Sequence, residues 1–150
     1  MAAMLSLGTI SPASATTAVH PQAAPGAVLT SASITFFTDT DDKDGDTFVR
    51  VAVTDGTQSQ RLGALVNGFF GHFDDQSARG PFSMVVRSGE TADALEGGNI
   101  QVSIVPNGHD TWNFSYELDL GFSDGSIEPI ESGPISLNQN SRINNLSILF

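Results

Sequence analysis

The chain has no cysteine among its 150 residues. A disulfide framework and a thiolate metal site are therefore excluded, and so is catalysis by a cysteine nucleophile. The fold has to be held by a hydrophobic core, with or without a bound ion. Apolar residues make up 39% of the chain, a proportion typical of a globular protein, and the length suits one domain.

Basic side chains are scarce, because six lysines and arginines stand against 17 aspartates and glutamates, for a formal net charge of -11. Such an excess of negative charge repels phosphate backbones and anionic lipid headgroups. It argues against nucleic acid as a partner. Carboxylates are, in contrast, the hard oxygen ligands that calcium prefers.

Long apolar runs are missing beyond the first residues, so no transmembrane segment is predicted. Residues 1–15 resemble a signal peptide, because Ala2–Ile10 is apolar and Ala13–Ala15 has the small-residue pattern of a cleavage site. Secretion is therefore expected. No lysine or arginine lies close to Met1, although signal peptides usually begin with a basic stretch, so we expect that the signal is truncated or that the true start lies further upstream. The alternative interpretation of these residues is a disordered alanine-rich tail. Residues 16–30 are expected to form a flexible lead-in to the domain.

A helical period is absent from the rest of the chain, where short apolar runs separated by turn residues begin at Ser31. In Trp112–Leu120 apolar and polar residues alternate, as they do in a half-buried antiparallel strand. Two weaker strands are expected near Arg61–Leu65 and Ser126–Ile130. The other predicted strands are Ser33–Phe37, Phe48–Val53, Phe82–Val86, Ile100–Val105 and Leu146–Phe150. Residues 31–150 are thus predicted to form an all-β antiparallel β-sandwich of about seven or eight strands.

The most informative segment is the acidic loop, residues 39–47, which lies between two predicted strands. It contains five aspartates, namely Asp39, Asp41, Asp42, Asp44 and Asp46. Lys43 alone is not expected to offset their repulsion, whereas a calcium ion, which takes about six to eight oxygen ligands, would do so. The expected inner ligands are Asp42, Asp44 and Asp46, while Asp39 and Asp41 are equally suited to facing water. The alternative is a solvated acidic hairpin loop that aids solubility.

The spacing of this loop excludes an EF-hand, because Gly45 as the sixth position puts Thr40 first and Val51 twelfth. A second acidic pair, Asp74 and Asp75, would complete the site if its loop lies beside the first. Two further aspartates, Asp110 and Asp124, lie in turn-like contexts and are weaker candidates.

The order of these features resembles the PLAT (lipoxygenase-homology) domain and, more loosely, C2 domains, over about residues 33–122. The resemblance rests on the segments Asp42–Val51, Phe73–Val86 and Ile100–Trp112. It implies an eight-stranded sandwich that binds calcium at the loops of one end and docks there to lipid or protein. The positions that carry over are 44–47 and Asp74 or Asp75. The family's usual Gly-Thr-Asp is Gly-Asp-Thr here, at positions 45–47.

No catalytic constellation is evident around the three histidines, His20, His72 and His109, and the motifs Gly-x-Ser-x-Gly and His-Glu-x-x-His do not occur. Paired carboxylates leave glycoside hydrolysis open by residue type, but a chain this small leaves little room for a substrate cleft. The sequence therefore predicts a calcium-binding module that is not an enzyme.

Two other functions stay open. A carbohydrate-binding, lectin-like module would need exposed aromatic rings, and Phe69 and Phe70, flanked by glycines, are the best candidates. Trp112 and Tyr116 alternate with polar residues, which favours their burial in the core. A protein-directed inhibitor or toxin component is the third possibility, and nothing in the sequence names its target.

Overall fold

The computed structural model describes residues 22–150, so the predicted signal peptide and the first part of the predicted lead-in lie outside the described residues. The fold prediction is confirmed: the described chain is an antiparallel β-sandwich, with nine strands and one short helix. The strands are β1 (Leu29–Thr38), β2 (Phe48–Thr54), β3 (Leu62–Gly68), β4 (Ala78–Ser83), β5 (Val85–Val86), β6 (Asn99–Val105), β7 (Thr111–Phe122), β8 (Ile127–Asn138) and β9 (Ile143–Ser147), and the helix is α1 (Ala92–Leu95).

The strands form two sheets, a four-stranded one in the order β4-β1-β7-β8 and a five-stranded one in the order β5-β3-β2-β6-β9. All neighbouring strands are antiparallel. The chain crosses from one sheet to the other between β4 and β5, at the buried Met84. The end of β1 pairs with the starts of β4 and β7, and the start of β7 pairs with the end of β8. The loops 39–47, 69–77, 106–110 and 139–142 therefore lie at the same end of the sandwich, called here the loop end.

The alternation of apolar and polar residues along the strands directs the apolar side chains into the core. The apolar residues of β7 from Trp112 to Phe122 are buried, and the residues between them are half-buried. The valines of β2 and the branched residues of β6 face them from the other sheet. Burying one such side chain is worth roughly 1.5–3 kcal/mol. The core is therefore the main source of stability in this cysteine-free chain.

Several boundaries differ from the prediction. The strand β1 begins at Leu29, and Ala23 and Ala27, within the expected lead-in, are buried against the core. The predicted strand Phe82–Val86 is divided between β4 and β5, because the chain changes sheets there. The helix α1 has only four residues, too few to show a helical period in the sequence. Among residues 22–150, no helix has the length and apolarity needed to cross a membrane.

An aromatic cluster fills the core beneath the loop end. The ring of Phe36 lies 5.1 Å from that of Trp112 and 5.9 Å from those of Phe73 and Phe114, measured between centroids. The indole nitrogen of Trp112 donates a hydrogen bond to Thr38 Oγ1 at 3.1 Å. Because Phe73 belongs to the loop 69–77, this cluster anchors that loop to the rigid core.

Candidate metal centre

The acidic loop and the loop 69–77 are joined by a single antiparallel bridge between Lys43 and Phe73. The Lys43 N–H donates to the Phe73 carbonyl at 3.1 Å, and the Phe73 N–H donates back to the Lys43 carbonyl at 3.0 Å. Because side chains alternate along an extended chain, Lys43 and Phe73 point inward and their chain neighbours point outward. The same register brings Asp42 opposite Asp74, and Asp44 opposite His72.

These four outward side chains form the acid–imidazole cluster, defined as Asp42, Asp44, His72 and Asp74. The Nε2 atom of His72 lies 3.3 Å from Asp42 Oδ2 and 3.4 Å from Asp74 Oδ1. Ligand atoms of Asp42, Asp44 and His72 all lie within 4.8 Å of one another. Asp44 and His72 are exposed and Asp42 is half-buried, so an ion can reach the cluster from solvent.

On the inner side of the bridge, the Lys43 side chain is fully buried. Its ammonium donates to the carbonyls of Asp44 at 2.8 Å, Thr47 at 3.3 Å and Phe69 at 2.7 Å, and it lies 4.9 Å from the centroid of the Phe73 ring. Burial lowers the pKa of Lys43, and the carboxylates of Asp110, Asp44 and Asp46 partly oppose that shift. The acidic loop therefore carries its own internal cation.

The remaining aspartates of the acidic loop accept hydrogen bonds from side-chain amides. Asp39 accepts from Gln76 at 2.9 Å, Asp46 accepts from Asn107 at 2.7 Å, and Asp41 accepts from Asn113. Asp110 accepts from the Thr47 hydroxyl at 2.5 Å. These bonds tie the loop to its neighbours and offset part of its charge. An external ion is thus not needed to explain how five aspartates fit in one loop.

The structure places some of the expected calcium ligands in the acid–imidazole cluster and others outside it. Asp42 and Asp44 converge with His72, whereas Asp74 reaches only the His72 imidazole and the Arg79 guanidinium. Asp46 is bonded to Asn107 outside the cluster, and Asp75 is exposed beside Asp74. Asp124 lies at the opposite end of the sandwich. There the backbone N–H of Ala24 and the Ser126 hydroxyl donate to its carboxylate, which lowers its pKa to about 2.

The two predicted docking aromatics point in different directions. The ring of Phe70 packs 4.6 Å from that of Phe82, whereas Phe69 is 54% exposed. The ring of Phe69 meets Phe48 edge to face, with the centroids 5.4 Å apart. Of these two residues, Phe69 therefore offers the exposed ring. Trp112 and Tyr116 are buried, as their alternation with polar residues predicts.

His72 is the residue of the cluster that the sequence alone does not identify as a ligand. A signal is present, because Asp42-Lys43-Asp44 and His72-Phe73-Asp74 are both triplets with ligand side chains on either side of a residue that points inward. That pattern becomes informative only once the two triplets are known to pair. The pairing joins segments 30 residues apart, and nothing local to either one specifies it.

Comparison with models of protein families, with curated proteins and with solved structures finds no match to this chain.

Proposed function

We propose that this chain is a secreted, non-catalytic binding module that takes one divalent cation at the loop end of its β-sandwich. The observation that carries the proposal is the cluster of Asp42, Asp44 and His72, whose ligand atoms lie within 4.8 Å of one another on a solvent-accessible surface. The bridge between Lys43 and Phe73 pairs the two loops that carry these side chains.

The ligand set bears on which ion is bound. Calcium, the ion expected from the sequence, takes oxygen ligands at about 2.3–2.6 Å, and the carboxylates of Asp42 and Asp44 would supply part of that set. An imidazole nitrogen instead favours a first-row transition ion such as Mn²⁺ or Zn²⁺. Calcium is therefore proposed with Asp42 and Asp44 as its carboxylate ligands. Asp74 contacts His72 and Arg79 instead. Mn²⁺ and Zn²⁺ are the competing ions because of His72.

The contacts of the histidines support a binding role over catalysis. His72 faces two carboxylates, and His109 Nδ1 lies 2.7 Å from the side-chain amide of Gln139. Within the described residues, these contacts place a carboxylate or an amide, rather than a hydroxyl nucleophile, beside each imidazole. A Ser–His pair of the kind used in acyl transfer needs the hydroxyl in that position.

Docking to a lipid surface or to a protein would use Phe69, as the PLAT- or C2-like hypothesis suggests. This ring is more than half exposed, and it lies three residues before His72 in the same loop. Its backbone carbonyl is fixed by the Lys43 ammonium, so the ring is held in a defined place. A bound cation would neutralise part of the surrounding negative charge, and contact with an anionic surface would then depend on the ion.

Isothermal titration calorimetry on EDTA-stripped protein tests the proposal, with Ca²⁺, Mn²⁺ and Zn²⁺ titrated separately. We expect one ion to bind with a stoichiometry near one. The variant Asp42→Asn/Asp44→Asn should weaken that binding by about ten-fold or more, a loss of about 1.4 kcal/mol. Calcium as the tightest of the three ions would support the ion expected from the sequence. Tighter binding of Mn²⁺ or Zn²⁺ that is lost in His72→Gln would assign the site to a transition ion.

The matched control is Asp119→Asn/Glu131→Gln, which removes two charges from the outer face of the four-stranded sheet, outside the cluster. Equal weakening in both double variants would mean that the ion responds to net charge and not to a site. Absence of heat for all three ions would remove the proposal. Sedimentation with anionic liposomes, with and without the ion, then tests docking, and Phe69→Ser should abolish any ion-dependent binding.

A further inference from the structure

The outer face of the five-stranded sheet differs in charge from the rest of the molecule. Val49, Val51 and Val53 of β2 are buried in the core, so the residues that alternate with them point away from it. The strand pairing assigns the outward positions of β3, β5, β6 and β9 in the same way. All 17 acidic residues of the chain lie within residues 22–150, yet none occupies an outward position of these five strands. Arg50 is the single charged residue there.

Side-chain amides form a connected network that runs across this face from the central strand β2 to the edge strand β9. The side-chain oxygen of Asn145 on β9 accepts from Asn99 at 3.0 Å and from Gln101 at 3.3 Å, both on β6. The side-chain oxygen of Gln101 in turn accepts from the Arg50 guanidinium at 3.4 Å. These bonds fix which way each amide points, and each amide keeps further donors or acceptors for a ligand.

The network lines an open groove of about 550 Å³, which also includes Thr54 and, from the loop before β3, Gln60. Two positions before Arg50 on the same face of β2 is Phe48, and the exposed ring of Phe69 packs against it. The face from Phe48 to Thr54 is about 20 Å long at the usual strand rise of about 3.3 Å per residue. It therefore combines an elongated polar floor with an aromatic surface at one end.

We propose that this face binds a neutral polysaccharide. Oriented amides and a hydroxyl match the mixed donors and acceptors of sugar hydroxyl groups, and an exposed ring packs against the apolar C–H surface of a sugar ring. The absence of carboxylates from the face leaves no groups there for a cationic ligand. The net charge of -11 opposes the approach of a polyanion over long range. A neutral chain of hydroxyl-bearing units is the partner that all these features fit.

Affinity gel electrophoresis tests the inference with neutral soluble polysaccharides (hydroxyethyl cellulose, mixed-linkage β-glucan, xylan and galactomannan) and with two polyanions, polygalacturonate and alginate. EDTA is present throughout, so that the result is independent of any cation at the loop end. We expect retardation by at least one neutral polysaccharide, little change between 50 and 500 mM NaCl, and none by the polyanions. The variant Gln101→Ala/Asn145→Ala should weaken the interaction by about ten-fold or more, and Phe69→Ala should weaken it as well.

The matched control is Gln139→Ala/Asn140→Ala, which removes the same two side-chain types from the loop between β8 and β9 and should bind as the parent does. Thermal melting checks that each variant is folded. The inference is overturned if no neutral polysaccharide retards the protein, if only the polyanions do, or if Gln101→Ala/Asn145→Ala binds as well as the control. Retardation in EDTA would support this inference even if the calorimetric titrations of the loop end showed no cation site.

Discussion

A lysine ammonium is seldom buried, because taking a charge out of water is unfavourable unless the charge is paired or hydrogen-bonded. Lys43 meets this condition at the loop end. Its three carbonyl partners come from Asp44 and Thr47 in the acidic loop and from Phe69 in the neighbouring loop. One buried ammonium thus fastens the two loops together and places positive charge beneath the acid–imidazole cluster.

Replacing this lysine should be costly for stability. Lys43→Met keeps the apolar stem but leaves three carbonyls without their donor and removes the internal cation from the acidic loop. We expect the free energy of unfolding to fall by about 3 kcal/mol, measured by urea denaturation. The control Arg142→Met removes an exposed positive charge and should change stability by about 0.5 kcal/mol or less. Equal losses in the two variants would show that net charge matters and the buried hydrogen bonds do not.

At this scale, burial could be predicted from the sequence where it follows from alternation within a strand, as for Trp112 and Tyr116. The role of Lys43 could not be predicted, because a lysine among five aspartates suggests a solvated side chain. Its burial depends on the carbonyl of Phe69, 26 residues away, and on the ring of Phe73. The sequence therefore indicates which residues are candidates for the site but not which of them face inward.

Within the four-stranded sheet, β7 and β8 place two like charges against each other. Glu117 and Glu131 are direct partners across the ladder. Like charges in directly opposite positions destabilise a sheet, while opposite charges contribute roughly 0.2–1 kcal/mol. This pair is therefore a local weakness in the long pairing of β7 with β8.

The variant Glu131→Lys should convert this repulsion into attraction. We expect the free energy of unfolding to rise by about 0.5–1 kcal/mol in low salt, measured by urea denaturation. A double-mutant cycle with Glu117→Gln separates the cross-strand interaction from the change in net charge. If Glu131→Lys stabilises the Glu117→Gln background as much as the parent, the effect does not come from this pair.

The length of β8 shows why strand boundaries were only partly predictable. The sequence predicted Ser126–Ile130, but the strand continues to Asn138 through Gly133 and Pro134, which usually interrupt strands. Pairing with β7 shifts register there, between Phe114 and Tyr116. Gly133 has a φ of 145°, and a Cβ at that position would lie 2.4 Å from the Cβ of Ser115. The close approach of β7 requires this glycine, and the approach is visible only in the folded sheet.

Across the whole molecule, charge is distributed unevenly over the surface. Eight of the 17 acidic residues lie in the loops 39–47, 69–77 and 106–110, and the outer face of the five-stranded sheet has none at its outward positions. Composition and length predicted an acidic, globular, one-domain chain, and the pattern of alternating strands and turns predicted a β-sandwich and most of its strands. The contrast between the two faces could not be predicted, because it depends on which strands share a sheet.

Concentrated negative charge should make stability depend on salt. The Debye length falls from about 30 Å at 0.01 M salt to about 3 Å at 1 M, so added NaCl screens repulsion among the loop-end carboxylates. With EDTA present, we expect the melting temperature to rise by about 3 °C or more between 10 mM and 500 mM NaCl, since 1 kcal/mol corresponds to roughly 2–4 °C for a domain of this size. Choline chloride should act equally, because screening does not depend on a specific cation.

The location of the repulsion can be tested by comparing two variants of equal charge. Asp44→Asn removes one carboxylate of the crowded cluster, whereas Asp119→Asn removes one from the four-stranded sheet and leaves the Glu117–Glu131 pair intact. If repulsion is concentrated at the loop end, the first variant should show the smaller salt-dependent rise in melting temperature. Equal rises would mean that the charge acts as a diffuse whole. A parent protein whose melting temperature does not rise with either salt would show that Lys43 and the surrounding amides already balance the acidic loop.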